Sequence, residues 1–105
     1  MGEQWEEIDR DSKSGRRIFK REVNFGDGGY GGQYFELRAD FEVRDAEGRV
    51  LLKTDGTAKG DYWCGTFLWF VQDTGGQRVR LYQSDTVSDV FFDVPEAPVT
   101  QQGRN

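Results

Sequence analysis

Nineteen carboxylates and not one histidine set the chemistry open to this chain of 105 residues. Without imidazole the commonest general base and metal ligand is missing, and every nucleophilic triad built on it is closed. Paired carboxylates can still serve as the acid and base of glycoside hydrolysis, which needs no histidine. No two of them are drawn together by spacing. Asp85, Asp89 and Asp93 recur every four residues, which would cluster them on a helix, but the Val and Phe among them read as strand. In a strand Asp89 and Asp93 share a face with Phe91 between them, too far apart for a close dyad. Cys64, the single cysteine, sits in the most apolar stretch with no base beside it and reads as packing. A catalytic residue is therefore not expected.

Two further motifs fail on context. Asp9 and Asp11 have the first spacings of a calcium loop, but Lys13 stands at the third ligand position and Ser14 where the loop needs glycine. The run Gly26 to Gly32 holds five glycines around Asp27 and Tyr30, yet no Gly-Lys-Ser/Thr follows and the next segment reads as a strand. It is a loop, not a phosphate cradle. No metal and no cofactor are expected. Tyr30, flanked by glycines, is placed for contact.

Aromatic residues carry the remaining signal: three Trp, four Tyr and eight Phe. The stretch Gly60 to Asp73 places Trp63, Gly65, Phe67, Trp69 and Val71 on one side and Cys64, Thr66, Leu68, Phe70 and Gln72 on the other. Both rows carry large apolar groups, which predicts a central strand covered on both faces. The adjacent pairs Phe70–Val71, Phe91–Phe92 and Tyr34–Phe35 send one member of each away from the main core, so a second apolar surface follows. As partner-binding residues this reading selects Leu68, Phe70, Phe91 and Tyr30. An alternative, a small barrel holding an apolar, aromatic or carbohydrate ligand, selects Trp63, Trp69 and Tyr30.

The elements that must position these groups are short. Trp5 and Ile8 suit one helical turn or an extended edge within residues 3–11. Arg16 to Val23 reads as a charged strand with Ile18, Phe19 and Val23 as its apolar members. Phe35, Leu37, Ala39, Phe41 and Val43 alternate with Glu36, Arg38, Asp40, Glu42 and Arg44, a strand with one wet face. Its alternating signs suit pairing with neighbouring strands. Asp45 to Gly48 supplies a hairpin loop and Arg49 to Thr54 the return. Asp55-Gly56 predicts a second turn with a loop to Gly60. After the apolar strand, Asp73 to Gly76 turns the chain into Gln77 to Ser84, and Ser88 to Val94 forms the last strand, ended by Pro95 and Pro98. Val90, Phe92 and Val94 face one way there, and Asp89, Phe91 and Asp93 the other.

The expectation is an all-β fold of six or seven antiparallel strands, a small barrel or a sandwich, with residues 1–95 as one domain and 96–105 as a flexible tail or arm. Net charge is −5, which argues against direct binding to nucleic acid or membrane. The basic group Lys13, Arg16, Arg17, Lys20 and Arg21 reads as a solvated strand and turn. One cysteine and no visible signal peptide suggest a soluble cytoplasmic protein. Functionally, we expect a non-catalytic β module that self-associates or binds a protein partner through an aromatic sheet face. An assembly component fits, as does a small acidic inhibitor using Glu36, Asp40 and Glu42. A ligand-binding barrel and a carboxylate enzyme are the alternatives.

Overall fold

The computed structural model describes residues 4–25, 35–60, 65–84 and 89–99. Every element defined among them is a strand: β1 (Glu6–Arg10), β2 (Arg17–Phe25), β3 (Phe35–Arg44), β4 (Val50–Gly60), β5 (Thr66–Phe70), β6 (Arg78–Gln83) and β7 (Val90–Asp93). They form two antiparallel sheets, one in the order β1-β2-β3-β4 and the other β5-β6-β7, which do not close into a barrel. The extended edge is the form the N-terminal segment takes. No helix among the described residues is long and apolar enough to cross a membrane.

One core lies between the sheets. Ile18, Ala39, Phe41, Val43 and Leu51 contribute from the four-stranded sheet, and Leu68, Val79, Leu81 and Val94 from the three-stranded side. The alternation read from β3 holds, with Ala39, Phe41 and Val43 buried and Asp40, Glu42 and Arg44 on the wet face. Cross-strand ion pairs satisfy that wet face: Arg21 to Asp40 at 2.9 Å and Arg38 to Asp55 at 3.3 Å, with Arg44 to Glu42 at 2.8 Å along β3 itself. The Asp45–Gly48 hairpin forms as expected. Gly48 takes a φ of +90° and donates its amide to the Asp45 carbonyl at 3.0 Å.

Asp55-Gly56 does not turn the chain. β4 runs through both residues to Gly60, with Asp55 opposite Asp40 and Gly56 opposite Ala39. The physical reason is the approach of the second sheet. Gly56 is buried, and a Cβ there would collide with the Thr66 hydroxyl and lie 3.2 Å from Leu81 Cδ1. This glycine gives room to the side chains of Thr66, Leu81 and Gln83 from the second sheet rather than bending its own backbone.

Side-chain acceptors stitch the two sheets at their rims. The Phe70 amide of β5 donates to Asp9 Oδ2 of β1 at 2.9 Å, and the Thr57 amide of β4 donates to Gln83 Oε1 of β6 at 2.8 Å. Both bonds occupy edge amides that would otherwise pair with another chain. Arg16, almost wholly buried, donates to the Gly76 carbonyl at 2.8 Å and meets Glu96 at 3.4 Å. That contact joins the start of β2 to the β5–β6 turn and the segment after β7.

Candidate functional site

Among the described residues the apolar strand is an edge strand, not a central one, with one face against the core and the other partly exposed. β5 pairs with β6 alone among the described residues, in the register Leu68 to Leu81, Trp69 to Arg80 and Phe70 to Val79. Residues directly opposite share a face, so Val79 and Leu81, both buried, fix Leu68 and Phe70 on the core side. Leu68 is fully buried and Phe70 packs against the core. Phe91 is on the other face, opposite Arg80. Leu68, Phe70 and Phe91 therefore do not form one surface. Tyr30, Trp63 and Cys64 lie outside the described residues.

The second apolar surface exists, but on the opposite face from the one expected. Phe67, Trp69 and Phe91 keep 38, 37 and 43% of their surface exposed there, beside Tyr82. The Phe67, Trp69 and Tyr82 rings form a triangle with centroids 5.8 to 6.3 Å apart, Phe67 and Trp69 being nearly parallel at 20°. Gly65 helps set this arrangement. A Cβ at that position would come within 2.9 Å of the Phe67 ring, so glycine two residues before Phe67 on the same face lets the ring lie flat.

Cations border the rings. The Arg80 guanidinium lies 5.3 Å from the Trp69 centroid, Arg78 lies 4.8 Å from that of Phe91, and Lys20 reaches from β2 to within 4.2 Å of Phe67. Lys20 keeps only 11% of its side chain exposed and pairs with Glu22 at 3.5 Å. Its stem lies along apolar surface while its ammonium reaches the ring and the carboxylate. Arg80 pairs with Asp89 at 3.2 Å, and Asp93 stands opposite Arg78 in the sheet.

The outer face of the four-stranded sheet offers an internal comparison. There Arg17 and Arg44 flank Phe19 at 5.4 and 4.1 Å, and Arg44 and Arg21 flank Trp5 at 5.3 and 4.5 Å. Each of these arginines also has a carboxylate: Glu7, Glu42 or Asp40. A groove of about 510 Å³ beside Trp5 is lined by Arg21, Asp40, Glu42, Lys53 and Asp55, but the indole is already stacked by guanidinium. This ladder is internally satisfied. Asp40 and Glu42 are paired there, and the Glu36 side chain lies outside the described residues.

The acids considered as a calcium loop have other roles. Asp9 accepts the Phe70 amide, and Asp11 accepts both the amide and the hydroxyl of Ser14, at 2.8 and 2.7 Å. The Ser14 hydroxyl bond, seconded by the amide, holds the Asp11 carboxyl below the ordinary value of 3.8. Among the described residues no three His, Cys, Asp or Glu side chains gather as a metal site.

Sequence reasoning missed Phe67, Tyr82, Arg78 and Arg80 as members of the site. The signal that locates them is the clean alternation of β6, because its buried Val79 and Leu81 decide which row of β5 faces inward. No protein-family model, curated protein or solved structure matches the chain.

Proposed function

We propose that the chain is a non-catalytic β-sandwich module that binds another protein through the outer face of its three-stranded sheet. The observation that supports this most is the exposed cluster Phe67, Trp69, Tyr82 and Phe91 bordered by Arg78, Arg80 and Lys20. Trp, Tyr and Arg are the residue types that dominate binding energy at protein interfaces, and a cluster of them left open on a flat face is unusual for a surface without a partner. Strand addition at an edge is a poorer reading. The β1–β5 rim is stitched by Asp9 and β4 is capped by Gln83. β7 has only four residues and is followed two positions on by Pro95.

A photo-crosslinking amino acid at position 69, compared with one at Lys53 on the other sheet, tests the reading. Protein adducts are expected from position 69 alone, competed away by excess wild-type chain but not by Trp69→Glu. Equal adducts from both positions, or equal competition by both chains, would remove the basis for the proposal.

A further inference from the structure

Building on that reading, we infer that Arg80, with Arg78 beside it, anchors a carboxylate of the partner, so that the face takes an acidic segment carrying an aromatic or aliphatic neighbour. Three observations point there. Arg80 Nε is buried and has no hydrogen-bond acceptor among the described residues, which leaves one donor of its planar fork unfilled there. The single ion pair of Arg80 among the described residues is one contact from Nη2 to Asp89 at 3.2 Å, and the two side chains are 40 and 45% exposed. Arg78 has no carboxylate within ion-pairing distance among the described residues and rests on Phe91.

Arg44 on the other sheet shows what a fuller set looks like in this protein. It lies near the Phe19 and Trp5 rings and makes contacts of 2.8 and 2.9 Å to one oxygen of Glu42, from Nη2 and Nε. Arg80 has the ring and a carboxylate at Nη2 but none at Nε, and Arg78 has the ring without a carboxylate among the described residues. A partner carboxylate that displaces Asp89 would take Nη2, and with the local opening that the buried Nε requires it would engage both donors in the bidentate geometry for which guanidinium is suited. The Trp69 ring lies 5.3 Å from the guanidinium, and Trp69 and Phe91, opposite Arg80 on the two neighbouring strands, supply apolar surface on either side. The net charge of −5 opposes an acidic partner at long range, but that repulsion is screened beyond about 8 Å at physiological salt and leaves the local match to decide.

Side-chain NMR on the full ¹⁵N-labelled chain tests this with two probes of one shape: N-acetyl-phenylalanine, which carries a carboxylate, and N-acetyl-phenylalanine amide, which does not. The acid is expected to shift the Nε–H signals of Arg80 and Arg78 and to bind at least fivefold more tightly than the amide. Arg80→Lys, which keeps the charge without the fork, is expected to remove most of that preference, whereas the signals of Arg17, Arg21 and Arg44 stay fixed. Equal binding of acid and amide with shifts at Trp69 and Phe91 would overturn the carboxylate assignment while leaving the aromatic face as an interface. No shift at any of these groups would overturn the anchor and weaken the interface reading with it.

Discussion

Gly56→Ala is the substitution that most sharply probes how the two sheets meet. The new methyl would collide with the Thr66 hydroxyl and press on Leu81 at 3.2 Å and Gln83 Oε1 at 3.4 Å. Overpacking of a tight site costs ~1–3 kcal/mol. Displacing the Thr66 hydroxyl also puts at risk its 2.9 Å bond to the Tyr82 carbonyl, worth about 1 kcal/mol. Loss of chain entropy in the unfolded state returns roughly 0.4–1 kcal/mol. The net expectation is a destabilisation of roughly 1.5–3 kcal/mol, a fall in Tm on the order of 10 °C for a domain of this size. Urea unfolding should show a lower midpoint with an unchanged slope. The cause is separable by a double-mutant cycle. Thr66→Ala removes the obstructing hydroxyl, so the double variant should be at least ~1 kcal/mol more stable than the two single losses added together. If Gly56→Ala leaves stability within about 0.5 kcal/mol of wild type, β4 does not pass under β5 and the account of the sheet contact fails.

Three other expectations follow from separate contacts. Asp9→Ala should lower stability by about 1–2 kcal/mol and speed hydrogen exchange at the Phe70 amide, because that amide loses its acceptor; unchanged exchange would contradict the stitch. Trp5→Ala removes a ring held between two guanidiniums and should cost about 1–2 kcal/mol of stability while leaving partner binding intact, so a loss of binding would place the interface on the wrong sheet. The Asp11 carboxyl is depressed in the folded state, so its contribution is present above the unfolded Asp pKa of about 3.9 and is lost as pH falls through the lower folded value. Ser14→Ala should bring the Asp11 titration, followed by carboxyl-carbon NMR, back toward 3.8 and remove that part of the acid sensitivity; a titration unmoved by the substitution would refute the cause.

Period-two patterning made most strands legible because each has one dry and one wet face. β3, with Phe41 and Val43 against Asp40 and Glu42, is the plainest case, and Asp45–Gly48 and Asp73–Gly76 turn as their residue types require. Asp73, Gly75 and Gly76 all adopt positive φ there. Gly56 misled for a physical reason: Asp-Gly has the chemistry of a turn, but what fixes this glycine is the distance to Thr66 on another sheet, which local sequence does not encode. The site was half legible. That a second aromatic surface exists follows from adjacent aromatic pairs, but both rows of β5 are apolar, so β5 alone cannot say which row is buried. The answer lies in β6, where Val79 and Leu81 face the core and Arg78 and Arg80 do not, carried across to β5 by the hairpin register. Reading the two strands together would have moved Leu68 and Phe70 into the core and put Phe67 and Trp69 on the surface.

The central claim, that the Phe67–Trp69–Tyr82–Phe91 face is a protein-binding surface, is tested most directly by selecting a random peptide library on the wild-type chain and then measuring the selected peptides on variants of each sheet. Selected sequences are expected to carry a carboxylate beside an aromatic or aliphatic residue and to be bound at least tenfold more weakly by Trp69→Glu and Phe91→Asp and equally well by Trp5→Ala. Peptides that bind Trp69→Glu and Phe91→Asp as tightly as wild type, with those variants folded, would contradict it.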